Sequence, residues 1–466
     1  MPAVMRACAA VERAGVPAVA IGATSFVAMG RIIGKSLGIP QVKIAEYPGV
    51  ILVDSDETFA EKVRSSVLPG VLDGLLAAGE TVEQETAEEY SPRRVVFGGS
   101  LDEVLEHFTV RGWTDGLPIV PPTIERVERF LAFCDRDPHE VIGRVAPEAR
   151  EVTPWNIAVN GVMAGCRPEY FPILLSIGEI IADPVFRIED AGSTPGWEPL
   201  VVVSGPMVKE LGFNYATGAM RVGRQANTSI GRFVRLFMRN VPGLRIPPGS
   251  TDQGAIATTF NVALAEDADS SLEAAWPTFG VDQGFAADET VVTLQSVVTI
   301  SAPIYSGGPA DEQLKTIGQL FGDAIGPWFY LALQFGGWHP LLVVGPGVAR
   351  SLSEAGVTKD ALRQYLFENV TIELSELVRY AWQVGSTSFD LAELVDAGRA
   401  PAVYDPRLGL ERQVPLFLRG EWIGVVVAGH PGRNQSRAYV SNHGQGVRVS
   451  RKVVVPQGWQ AWRSSR

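Results

Sequence analysis

The order of elements in the first 22 residues constrains the fold more than any other feature of the chain. Met5 to Arg13 has the spacing of a helix, Gly15 ends it, and Val16-Pro17-Ala18-Val19-Ala20-Ile21 reads as a buried strand. The alternation continues with a strand over 16–22, a helix over 25–37, a strand over 41–45, and helices over 56–66 and 69–78. Strands alternating with helices predict a parallel sheet with crossover helices. A helix that opens such a unit has no strand before it to pack against. The expectation is therefore an incomplete parallel α/β domain over residues 1–80, with a strand and its βα loop upstream of Met1. Folds of this kind usually keep their chemistry in such loops.

The rest of the chain reads as a larger mixed α/β domain over 95–466, joined by a polar, acidic linker over 81–94. Net charge is −12, which argues against general nucleic-acid binding. No run of 18 apolar residues is present, so no membrane span is expected. Three cysteines, Cys8, Cys134 and Cys166, imply no disulfide framework and suit a reducing cytoplasm. The five histidines, at 107, 139, 339, 430 and 443, have no metal-ligand spacing, and neither a metal nor a cofactor is identified.

Within the larger domain, Pro199-Leu200-Val201-Val202-Val203-Ser204-Gly205-Pro206 recurs as Pro340-Leu341-Leu342-Val343-Val344-Gly345-Pro346, with a looser copy at Val425 to Gly432. Two readings stay open: sheet strands with similar punctuation, or an ancestral duplication. Ser100-Leu101-Asp102-Glu103 forms a capping box for a helix to about 110. It leads into the stiff loop Arg111 to Thr123, which holds Trp113-Thr114-Asp115-Gly116.

Three constellations could carry chemistry. Asp115, between Trp113 and Gly116, suits a general acid or base, or a turn residue bonding its own backbone. Cys166 sits near a helix end beside Arg167, whose guanidinium would favour a thiolate, while the helix C-terminus would oppose it. Six arginines and no lysine occupy 221–245. Arg224 and Asn227 lie in a glycine-bearing loop feeding a helix that Ser229 is expected to cap, a setting that suits anions. That helix should bury Ile230, Phe233, Val234, Phe237 and Met238 and turn Arg232, Arg235 and Arg239 largely to the other face. Arg224, Asn227, Arg167, Arg232, Trp113 and Asn434 are the candidate substrate-binding residues, and Cys166 and Asp115 the candidate catalytic ones.

These segments resemble the UGSC family of (seleno)proteins, named for a selenocysteine–Gly–Ser–Cys motif. The matching stretches are Glu12 to Pro17, Leu37 to Pro40 with Tyr47-Pro48-Gly49, Gly112 to Thr123, Val162 to Tyr170, Ala226 to Arg232, and Gly429 to Asn434, so the resemblance runs over essentially the whole chain. It implies a thiol- or selenol-dependent oxidoreductase, distantly like the glycine-reductase type of selenoenzyme. Its partners would be a small anionic substrate and a redox partner protein. The resemblance places the motif at or just before Met1, and the chain contains neither Cys-x-x-Cys nor Gly-Ser-Cys. A selenocysteine codon read as a stop would explain a start at Met1; loss of the motif is the competing account. Two other classes stay open: a non-redox lyase or hydrolase using the second domain, and a non-catalytic ligand-binding subunit of a reductase complex.

Overall fold

The computed structural model describes residues 2–39, 42–76, 93–192, 196–245, 259–383, 390–441 and 447–465, and the architecture is mixed α/β. In the first region, α1 (Pro2–Arg13) precedes β1 (Val19–Ala23), and α2 (Thr24–Ser36) connects β1 to β2 (Lys43–Tyr47). The two strands pair in parallel, Val19 opposite Lys43 through Ala23 opposite Tyr47, as the alternation predicts. Met5, Cys8 and Ala9 of α1 pack with Met29 and Ile33 of α2 over Ala20. The other face, at Ala45 and Tyr47, packs against Val67 and Val71.

The helices expected over 56–66 and 69–78 form one run. α3 (Asp56–Lys62), capped by Ser55, passes through a wider π turn at Val63–Val67 into α4 (Leu68–Leu76). Pro69 suggests a fresh start in sequence, because it has no N–H to donate; the π turn takes up that break without ending the helix. Arg6 ties this region to the rest of the chain through Glu189 (2.5 Å) and Asp190 (3.0 Å). Most of the expected linker lies outside the described residues, which resume at 93.

The larger region opens with α5 (Leu101–Val110), whose Ser100–Glu103 capping box forms as expected, and α6 (Ile124–Leu131). The hairpin β3 (Gly143–Val145) and β4 (Arg150–Val152) leads to α7 (Pro154–Met163) and α8 (Phe171–Ala182). Next come β5 (Glu198–Ser204), α9 (Met207–Glu210), α10 (Gln225–Asn240), β6 (Leu264–Ala265), α11 (Ala268–Glu273), α12 (Phe279–Asp282) and β7 (Val291–Val297). The second half adds β8 (Thr299–Ile300), β9 (Ile304–Tyr305), α13 (Ala310–Ile325), α14 (Tyr330–Phe335), β10 (Leu341–Val344) and α15 (Pro346–Glu354). It continues with α16 (Lys359–Asn369), β11 (Thr371–Glu373), α17 (Leu374–Gln383), β12 (Gln413–Pro415), β13 (Gly424–Val427), β14 (Gln435–Val440) and β15 (Val449–Lys452).

Two sheets organise this region, with strand orders β15-β7-β5-β6 and β13-β10-β14-β8, and β9 also on β14. Each is built on one of the recurring segments. β5 has a parallel neighbour, β6, and an antiparallel one, β7; β10 likewise has β13 and β14. The looser third copy is β13, the parallel neighbour of β10, and does not found a third sheet. The outer strands are exchanged. β8 follows β7 in the chain yet pairs with β14, and β15 follows β14 yet pairs with β7.

Alternation of side chains along the strands sets the layers. Val201, Val203, Val292 and Leu294 face a core shared with α7, α8 and α10. Leu342, Val344, Val425 and Val427 face a second core beneath α13, α15 and α16. The opposite faces meet each other, Leu200, Val202 and Leu264 against Leu341, Val343, Val426 and Tyr439. The result is four layers, helices outside and two stacked sheets within.

Polar groups are also buried between the halves. Lys359 holds Asp282 at 2.6 Å, and Arg363 holds the same carboxylate at 2.7 Å. Arg448 donates to Gln295 Oε1 and to the carbonyls of Pro340 and Trp422. His339 stacks on Trp422 at 5.0 Å. Burial and the charge of Arg448 push its imidazole down to about 3, so it is neutral in the fold. The unfolded chain then binds a proton that the folded chain refuses between pH about 6.5 and 3, and stability should fall as pH drops through that window. The measurement is denaturant unfolding at pH 7 and pH 4.5 for the parent and His339→Phe; an equal pH dependence in both would remove His339 from the account.

Candidate functional site

The site is built around α10. Its apolar stripe is buried as expected: Ile230, Phe233, Val234, Phe237 and Met238 are each no more than 2% exposed. The helix begins at Gln225, with Arg224 in the capping position. Ser229 lies a full turn inside and donates to Gln225 O (2.7 Å), so it is not the cap expected from sequence.

The stiff Arg111–Thr123 loop docks along this helix. Arg232 donates from Nε and Nη2 to the two carboxylate oxygens of Asp115 (2.8 and 2.9 Å), and from Nη2 to Pro118 O (2.8 Å). Arg239 donates to Gly112 O (2.5 Å), and Asn240 to Trp113 O (3.1 Å). Residues i, i+7 and i+8 of one helix therefore hold three points of one loop. Burial pushes the Asp115 carboxyl up. The hydrogen bonds and charge of Arg232, with backbone N–H groups, more than offset this and hold it below the usual carboxylate range. Such a group is an anchor at neutral pH and has no proton to give.

α7 delivers the second element. Its end is a Schellman turn: Gly165 N–H bonds Val162 O, and Cys166 N–H bonds Gly161 O (3.0 Å), with Gly165 at φ +77°. This turn aims Cys166 at α10. The thiol is enclosed, and burial pushes it up to about 12, against smaller opposing effects of the Ser229 hydroxyl and the Arg232 charge. Arg167 does not activate it. Its guanidinium turns away to Gln225 Oε1 (3.0 Å), and Gln225 Nε2 reaches back to Gly165 O (3.1 Å). Cys166 should accordingly resist iodoacetamide at pH 8 in the folded chain and react once unfolded, as read by mass spectrometry. Rapid labelling of the native protein at Cys166 would show a thiolate that this geometry does not provide.

The remaining expected residues go to different places. Asn227 is 1% exposed, and its amide is spent on Asn214 N–H (2.7 Å), Asn214 O (2.9 Å) and Ala263 O (2.9 Å). It holds the loop before the helix. Trp113 packs edge-on against Phe108 and His107, facing α5. Asn434 belongs to the second half, between Gly307 and Gly347. Of the arginine run, Arg235 pairs with Glu198 and Arg245 with Glu148, so these two brace the core. Arg224 is exposed and makes no side-chain bond among the described residues. Sequence reasoning missed Gln225, whose only signal is its place after Arg224, and gave Ser229 a different role.

Asp115, Arg232, Cys166, Ser229, Gln225 and Arg167 thus form one contiguous set, with Arg167 and Arg224 exposed at the positive end of α10. Among the described residues no group of three or more His, Cys, Asp or Glu is placed to share a metal ion. No described helix is long and apolar enough to cross a membrane.

Comparison with curated proteins found no match, and comparison with solved structures found none. A family model does match, over residues 2–77. The segments at 112–123, 162–170, 226–232 and 429–434 lie outside that match. The matched stretch is the α1-β1-α2-β2 unit through α4, and over these residues the chain is similar to the UGSC family.

Proposed function

We propose that the chain is part of a thiol- or selenol-dependent oxidoreductase of the UGSC type, in which the larger region binds a small anionic substrate. The single observation that carries the reading is the UGSC match over 2–77. The anionic character of the substrate rests on Arg167 and Arg224 at the N-terminal end of α10, where unpaired backbone N–H groups add to the attraction. Arg232 and Asp115 serve as the frame that fixes this corner, and redox chemistry belongs with the N-terminal region.

A second reading has its own support. Asp115 is tied to Arg232 and Cys166 is held as a thiol, so this corner offers ligand contacts without a ready acid, base or nucleophile. That favours a ligand-binding subunit of a reductase complex over a lyase or hydrolase. Calorimetric titration of the full chain with acetate and glycolate, beside their amides, tests the shared claim. Saturable binding of the carboxylates alone is expected; equal behaviour of carboxylate and amide would remove the anion site.

A further inference from the structure

We propose that the second half carries a separate oxyanion site, at the C-terminal end of β10, which takes a phosphate group bearing a protonated oxygen. Ligands of open α/β sheets bind beyond the carboxyl ends of parallel strands, where helix N-termini collect. Two helices begin here, α13 after Ser306-Gly307-Gly308-Pro309 and α15 after Gly345.

Three buried polar atoms at this point have no partner among the described residues: Ser306 Oγ, Ser436 Oγ and Gln313 Oε1. Their residues are 2–3% exposed. They share one neighbourhood by register. Ser436 stands opposite Val344, the last residue of β10, and opposite Ile304 of β9. Ser306 N–H continues that ladder to Asn434 O (3.0 Å), so Ser306, Asn434 and Ser436 lie on one sheet face. Ile304 of that face packs with Leu314 and Ile317, which puts α13 and its Gln313 over the same face.

The donor set selects the ligand. Gln313 Nε2 is spent on Gly308 O and Ser351 Oγ, both at 2.8 Å, so its free oxygen can only accept. The two hydroxyls can donate, as can the first-turn N–H groups of both helices. A ligand must then present several acceptor oxygens and one donor. Singly protonated phosphate does, whereas sulfate and carboxylates carry no proton at neutral pH. The acids of the first turn of α13 do not oppose this, because Asp311 and Glu312 are exposed and paired with Lys315. Asn434 closes the site. Its amide lies 3.4 Å and 3.6 Å from where side chains on Gly307 and Gly347 would begin, which sets it between the starts of the two helices.

The test is calorimetric titration of the full chain with inorganic phosphate and with sulfate at pH 7. Saturable phosphate binding is expected, at least tenfold tighter than sulfate. With the titrations made in an Arg224→Ala background, which removes the α10 anion contact, Ser306→Ala with Ser436→Ala should weaken it at least tenfold. Gly307→Val, which crowds only a flexible amide, should weaken it as well and guards against loss of folding in the serine variant. No saturable phosphate binding, equal binding of sulfate, or phosphate binding that survives all three substitutions would overturn the proposal. Loss of binding with Arg224→Ala would move the anion to the α10 site and overturn it too.

Discussion

Arg232→Met should be the most damaging single substitution around α10. It removes both bonds to Asp115 and the bond to Pro118 O, leaving a carboxylate only 18% exposed without a cation. Breaking a buried ion pair from one side costs about 3–5 kcal/mol, and the partial exposure of this pair discounts the expectation to about 2–4 kcal/mol. Arg232→Lys should rescue little, because an ammonium cannot supply the planar fork that meets both carboxylate oxygens. Asp115→Asn keeps the shape and one acceptor, so it should cost less than Arg232→Met. Denaturant unfolding of the three variants reads this order. If Arg232→Met unfolds at the parent's midpoint, the loop is not held by this pair.

Deleting residues 447–466 should cost more than any single substitution. The exchange of outer strands makes β15 the edge of the first sheet, although it lies about as far from β7 in sequence as the region allows. With it go Val449, Val453 and Trp459, at 6%, 2% and 2% exposure, and the half-buried Arg448 with its bonds to Gln295, Pro340 and Trp422. At about 1.5–3 kcal/mol for each buried apolar side chain, the loss rivals the whole stability of an ordinary domain. The shortened chain should lose cooperative unfolding in the first half. Trp459→Ala alone should cost about 3–5 kcal/mol by leaving a cavity against Phe133 and Trp462. A shortened chain that melts like the parent would mean that the first sheet stands without its borrowed strand.

Legibility in the sequence followed distance. The Ser100–Glu103 capping box, the α10 stripe and the parallel β1–β2 pair rest on contacts within a few turns or one crossover, and periodicity shows these. The strand exchange does not show, because β8 is two residues long and its partner lies some 140 positions away. The repeat of Pro199–Pro206 at Pro340–Pro346 marked the two sheet centres but could not say that each half lends the other a strand. At the site, the arginine excess was plain, yet the division of labour was not. Asp115 and Arg232 are 117 residues apart, and only their meeting turns an apparent acid into an anchor. Cys166 beside Arg167 suggested a thiolate; the Schellman turn sends the two side chains different ways. Asn227, expected to bind substrate from a loop, lies in the first turn of α10, and its amide serves three backbone groups.

The central claim is that the exposed arginines at the start of α10 bind a small anion while Arg232 and Asp115 hold the corner in place. The most direct measurement is one calorimetric series with a two-carbon carboxylate on the parent, Arg224→Ala and Arg167→Ala. The account predicts saturable binding by the parent and at least a tenfold loss in each variant, with the unfolding midpoint unchanged in Arg224→Ala. Binding that is the same in all three proteins, or undetectable in the parent, would contradict it.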